Sequence, residues 1–171
     1  MKQFFSTKKI AYLGVFLALS MIFSYVEVLI PFYFGVPGMK LGLPNAVIVI
    51  LLYAFGPVEA LIVNLLRIFL TSLLFTNVFS FWFSLAGGLI SFLVMFLMKR
   101  LLSFSPCGTS IFGGVFHNVG QLLVAMVIVS NYAVSFYLPV LLIFGFLTGA
   151  LNGVIAREIL KRFKGFGMKQ Q

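Results

Sequence analysis

The sequence has no aspartate, a single cysteine, a single histidine and a single tryptophan. Charged residues make up 9% of its 171 positions, against about 25% in an average soluble domain. Each shortage closes a class of function. A lone Cys107 excludes a disulfide framework and a cysteine-built zinc site. The acids are Glu27, Glu59 and Glu158, too few and too scattered for the clustered carboxylates of magnesium–diphosphate chemistry. No G-x-x-x-x-G-K-[ST] loop is present, so the chain supplies no ATPase of its own. A Ser-His-Asp triad lacks its acid, and no G-x-S-x-G context offers a glutamate variant. No cofactor motif is found, so none is expected.

Apolar residues take up what charge leaves vacant. They make up 62% of the chain, and the mean hydropathy is +1.17. Disorder is excluded by that content. A soluble fold of this length cannot bury it, because much of a small protein's surface stays wet. The net charge of +9 therefore does not indicate a nucleic-acid-binding module. The length predicts one transmembrane domain over 1–171.

A membrane-crossing helix needs about 20 mostly apolar residues. The sequence predicts an all-α polytopic bundle of six spans, at about 9–30, 41–55, 57–75, 79–98, 110–130 and 136–160. The second is short, with room for an unwound first turn. Pro31, Pro37 and Pro44 fall in or beside the first connection, Pro57 opens span three, Pro106 lies in the fourth connection and Pro139 begins span six. The segments are continuously apolar rather than alternating, which argues against a β-barrel. The first segment exceeds a signal-peptide core of about 7–15 residues and carries no A-x-A-like site, so it is expected to remain as a span.

Six spans place Lys2, Lys8, Lys9, Lys99, Arg100, Arg157, Lys161, Arg162, Lys164 and Lys169 on one side. By the positive-inside rule both termini are expected to be cytoplasmic. Attraction to anionic lipid at the inner leaflet accounts for the remaining purpose of the charge. Lys40 alone lies on the other side, and Arg67 lies inside a helix. The outer connections are aromatic: Phe32, Tyr33 and Phe34, then Phe79, Phe81 and Trp82, then Tyr132, Phe136 and Tyr137. They read as an interfacial belt. A sharper alternative makes Pro31–Lys40 a lid over an outward-facing pocket.

Small residues mark where helices approach closely in lipid. Gly145, Gly149, Gly153 and Ala156 stripe span six; Gly113, Gly114 and Gly120 mark span five; Ser84, Gly87, Gly88 and Ser91 mark span four. These predict a tightly packed second half. Ala11, Gly14 and Ala18 share nearly one face of span one. They read first as a further internal seam and second as a docking face for a membrane partner.

Ionisable and amide groups at membrane depth are costly and mark function by default. Arg67 lies about 15 Å above Pro57 at the helical rise of about 1.5 Å per residue. Its guanidinium cannot shed its charge, so it must meet a carboxylate, carbonyls, water or an anionic ligand; it reads equally as internal glue held by Glu27 and helix-end carbonyls and as a binding group for an acidic or phosphate-bearing substrate. Glu27 is the candidate carboxylate. Glu59, in the first turn of its helix, suits the cytoplasmic interface and the helix dipole. His117 and Gln121 share a helix face next to Asn118. Asn45, Asn64 and Asn152 add amides on three other spans. A pocket lined by Asn45, Arg67, His117 and Gln121, with Glu27 beside it, is the expected binding site. One histidine without cysteine or aspartate nearby makes no metal site.

Four segments together carry a resemblance. They are Lys40-Leu-Gly-Leu-Pro-Asn45, the Gly56–Leu70 stretch with Asn64 and Arg67, Ser84-Leu-Ala-Gly-Gly88, and Phe116-His-Asn-Val-Gly-Gln121. In that order they resemble the bacterial Gx transporter family, also labelled heptaprenyl diphosphate synthase component I. That family is similar to the substrate-binding S components of energy-coupling-factor (ECF) transporters. The resemblance implies capture of a small vitamin-like, flavin or isoprenoid-related molecule from outside. It implies a transmembrane coupling subunit and two ABC ATPases as partners. Docking in S components uses an alanine-x-x-x-alanine motif on the first helix, for which Gly14-x-x-x-Ala18 is a near match. A second reading makes the chain a non-catalytic membrane accessory of heptaprenyl diphosphate and menaquinone metabolism or quinone-linked electron transfer. Neither reading makes it an enzyme by itself, and the missing aspartates agree.

Overall fold

The computed structural model describes residues 7–30 and 40–164. They form α1 (Thr7–Leu29), α2 (Asn45–Ala54), α3 (Pro57–Phe75), α4 (Val78–Leu102), α5 (Pro106–Val129), a 3-10 turn at Tyr132–Tyr137 and α6 (Leu138–Lys164). No strand occurs among the described residues. α1, α3, α4, α5 and the segment through α6 are each long and apolar enough to cross a membrane; α2 is shorter. The chain is an all-α, multi-pass membrane protein.

Local chemistry explains the boundaries. Gly56, at φ +126°, makes the tight turn into α3, and Pro57 takes the first helical position, where a missing N–H costs nothing. The Asn77 side chain caps α4 by accepting from the Ser80 N–H, and Ser105 caps α5 by accepting from the Gly108 N–H. Pro106 therefore opens α5 rather than lying in the connection before it. Ser103 and Ser130 close α4 and α5 in the left-handed conformation. α4 runs on to Leu102, and α6 is preceded by the 3-10 turn.

The second predicted span changes most. Helix begins only at Asn45 and runs for 10 residues, about 15 Å. That is half of a hydrocarbon core of about 30 Å. Gly42, at φ +85°, and Pro44 set where the helix starts. Every residue from Asn45 to Leu52 is buried. A helix that is apolar all round belongs in the middle of a bundle, and α2 touches each of the other five helices. Phe16, Ala60, Val63, Phe92, Met95, Ala156 and Leu160 surround it and form the main apolar core.

The small-residue stripes of the second half pack as predicted. A Cβ on Gly114 would lie 2.3 Å from the Gly145 carbonyl oxygen, and one on Gly120 would lie 2.9 Å from the Ala86 oxygen. α4, α5 and α6 thus meet backbone to backbone. The stripe on α1 does not behave this way. Ala11, Gly14 and Ala18 are exposed, and nothing lies within 4 Å of a Cβ placed on Gly14. The internal-seam reading is corrected: α1 turns Phe16, Ser20, Ser24 and Glu27 inward instead. Polar groups facing lipid cost far more than alanine or glycine there, so they decide which face is buried.

Near the chain's first helix, Lys9 pairs with Glu59 in the first turn of α3. Phe79, Trp82, Tyr132 and Phe136 are exposed, as an aromatic belt requires. Phe32, Tyr33, Phe34 and nearly all of the lid expected at Pro31–Lys40 lie outside the described residues. Of that segment only Lys40 is described.

Candidate functional site

The non-helical stretch from Lys40 to Pro44 packs inside the bundle against His117 and Gln121 on α5 and Thr148 and Asn152 on α6. Backbone outside a helix survives there only if the protein satisfies its polar groups. Four helices do so. Glu27 Oε1 on α1 accepts the Leu43 N–H at 2.6 Å. Gln121 Oε1 on α5 accepts the Lys40 N–H at 3.1 Å. On α6, Asn152 Nδ2 donates to the Gly42 oxygen at 3.0 Å and Thr148 Oγ1 donates to the Leu41 oxygen at 3.3 Å. Ser84 on α4 receives the Lys40 ammonium at 3.2 Å. Asn45 then begins α2, so the N-terminus of a half-length helix opens inside the bundle.

The Gly87–Gly88 pair of α4 makes room on two sides. A Cβ on Gly87 would lie 2.9 Å from His117 Cε1 and 3.0 Å from Gln121 Cγ, both on α5. A Cβ on Gly88 would lie 3.4 Å from Asn64 Nδ2 and 3.5 Å from Arg67 Nη2, both on α3. Asn64 bridges the helices: its Nδ2 donates to the Gly88 oxygen at 3.1 Å. Its Oδ1 accepts from Arg67 Nη2 at 2.9 Å and Nε at 3.2 Å. On the other flank His117 Nε2 and Gln121 Nε2 stand 3.0 Å apart. His117 Cδ2 and Asn45 Nδ2 each come within 3.0 Å of where a Gly42 Cβ would stand. Asn45 Nδ2 is buried and has no hydrogen-bond partner among the described residues.

Charge at this depth is unbalanced. Arg67 is 3% exposed and Glu27 8%. Lys40, Arg67 and Glu27 lie within electrostatic range of one another. Yet neither cation reaches ion-pair distance of Glu27 among the described residues; the ion pairs found there are Lys9–Glu59 and Lys161–Glu158. With only three acids in the whole sequence, two cations share one carboxylate.

All five predicted binding residues, Glu27, Asn45, Arg67, His117 and Gln121, are buried in this region. The expected partnership is revised in one respect: Glu27 spends its carboxylate on the Leu43 N–H and acts on Arg67 at longer range. Asn118 turns away and donates to the Leu141 oxygen at 2.8 Å, joining α5 to α6. Sequence reasoning missed Lys40, Ser84 and Thr148 as members of the cluster. Lys40 had one signal, as the sole basic residue on its side of the membrane. Thr148 had none, because a threonine inside an apolar helix usually bonds its own turn, as this one also does with the Phe144 oxygen at 2.8 Å.

Among the described residues no three His, Cys, Asp or Glu side chains gather as metal ligands do. The cluster is rich in hydrogen-bond donors and carries fixed positive charge.

No curated protein and no solved structure matches the chain. A family model described as heptaprenyl diphosphate synthase component I does match, over residues 16–159, which takes in α2 to α5 whole, most of α1 and α6, and every residue of the cluster. The chain is thus a member of the heptaprenyl diphosphate synthase component I family.

Proposed function

We propose that the protein is a non-catalytic, membrane-embedded subunit that binds a small molecule in the mid-depth cluster around Arg67. The observation that carries this reading is the entry of Lys40–Pro44 into the bundle, which brings the start of α2 beside His117 and Gln121, with Arg67 in electrostatic range of Glu27 and His117. Broken helices with their termini at mid-depth are how many membrane transporters build substrate sites. A buried donor without a partner, Asn45 Nδ2, is a position that a ligand would complete.

The transporter form of this reading is an ECF-type S component in a bacterial inner membrane. It takes a vitamin-like, flavin or isoprenoid-related molecule from outside. Counting the half-length α2 and the stretch before it as one passage gives six, which would put ten basic residues on one side and both termini in the cytoplasm. The open face at Ala11, Gly14 and Ala18 suits docking of a transmembrane coupling subunit, which ABC ATPases would drive. The whole of 1–171 acts as one domain in this reading. Purification in mild detergent followed by mass spectrometry of the small molecules that travel with the protein is the test. A stoichiometric ligand displaced on substituting Arg67 is expected; no specific ligand, together with unaltered uptake on deletion, overturns the reading.

The family's name favours a second form, in which the subunit assists heptaprenyl diphosphate synthesis without performing it. The acids support the non-catalytic part: Glu59 and Glu158 are each paired with a lysine, and Glu27 holds a backbone N–H. Altered menaquinone on deletion, with uptake intact, distinguishes this form.

A further inference from the structure

The charge of the cluster specifies what it takes, an inference that rests on the binding reading above. Arg67 is fixed by Asn64, and Lys40 by Ser84 and by the Gln121 bond to its own backbone. Their positions therefore do not depend on Glu27. Glu27 is the sole acid near them, since the other two glutamates are held in ion pairs elsewhere. The α2 N-terminus adds further partial positive charge at the same depth. Unpaired charge in a low-dielectric interior is costly, and a bound anion removes that cost.

We propose that the ligand carries a negative group, a carboxylate or a phosphate, which seats among Lys40, Arg67 and the donors at the start of α2. Asn45 Nδ2, buried and without an acceptor, supplies a neutral hydrogen bond to the same group. Glu27 limits the surplus and so discriminates against anions of high charge. A neutral molecule of the same shape would leave the two cations as they are and gain little.

The test uses the full chain in nanodiscs of phosphatidylcholine, with thermal unfolding as the readout. Sodium acetate, its neutral isostere acetamide and sodium phosphate are titrated against wild type, Lys40→Gln, Arg67→Lys and Glu27→Gln. Saturable stabilisation by acetate or phosphate, and none by acetamide, is expected. Lys40→Gln should weaken the anion response at least tenfold, and Arg67→Lys should retain most of it. Glu27→Gln keeps a carbonyl for the Leu43 N–H while removing the negative charge, so it should tighten anion binding severalfold. A response to acetate alone identifies a carboxylate ligand and a response to phosphate alone a phosphorylated one. Protection by added phosphatidic acid in place of free phosphate identifies a lipid headgroup. Equal responses to acetate and acetamide, or anion responses unchanged by Lys40→Gln and Glu27→Gln, overturn the proposal. Should mass spectrometry then find a bound neutral molecule, binding stands and only the charge assignment falls; should it find none, both fall.

Discussion

Glu27 Oε1 receives the backbone N–H of Leu43 at 2.6 Å, tying the C-terminal end of α1 to the turn that starts α2. A carboxylate accepting from a backbone N–H at a helix start is a strong, charge-assisted bond. It makes Glu27 both a structural clasp and the only counter-charge to Arg67 and Lys40. These two duties separate by substitution. Glu27→Leu removes the acceptor and leaves a buried N–H, at a cost of about 1–3 kcal/mol. Thermal unfolding in detergent should show that loss, and Glu27→Gln should recover most of it.

Gly42 is required by conformation and by space. At φ +85° an L side chain is strained by about 1–2 kcal/mol, and its Cβ would press on Asn45 and His117 at 3.0 Å. Gly42→Ala should lower the unfolding temperature clearly and weaken ligand retention along with it. A variant as stable as the parent would show that the turn is free to change shape.

Glycines on α5 and α1 should respond in opposite ways. Gly114→Ala drives a methyl into the Gly145 carbonyl oxygen at 2.3 Å, and overpacking of this kind costs about 1–3 kcal/mol. Gly14→Ala meets nothing within 4 Å and should leave unfolding unchanged. Comparing the two by thermal unfolding at equal protein and detergent concentrations checks both.

If the open α1 face docks a coupling subunit, Gly14→Leu should abolish its co-purification. Ligand binding and stability of the isolated chain should persist, since Gly14 supports no internal contact. Co-purification at the wild-type level would assign that face to lipid alone.

For Arg67→Gln, retention of the bound small molecule should fall at least tenfold, equivalent to about 1.4 kcal/mol or more. Equilibrium dialysis with the molecule identified by mass spectrometry measures it. Undiminished affinity in a well-folded variant would leave Arg67 with only its bond to Asn64.

Much of the architecture was legible in the sequence because lipid imposes a simple rule. A helix satisfies its own backbone, so continuous apolar runs of sufficient length become crossings, and α3 matches its predicted bounds at Pro57 and Phe75. Small residues on one face of α5 and α6 likewise had to meet something close. The candidate residues were legible for the converse reason: Arg67, His117, Gln121 and Glu27 have no cheap place to face lipid.

Partnership was not legible. Arg67 and Glu27 looked like an ion pair, yet Asn64 holds the first and Leu43 the second, because the bundle offered each a nearer group. Ala11, Gly14 and Ala18 looked like a seam, but Ser20, Ser24 and Glu27 claimed the inward face of the same helix.

Composition, apolar run length and the placing of charge determined that this chain is a bundle of membrane helices with a few polar groups trapped inside. Tertiary structure alone decided that α2 spans only half the depth and that Lys40 joins the cluster. The reason lies in backbone hydrogen bonding: the turn at Gly42 is tolerable inside a membrane only when side chains from α1, α5 and α6 converge on its peptide groups, and no single segment carries that information.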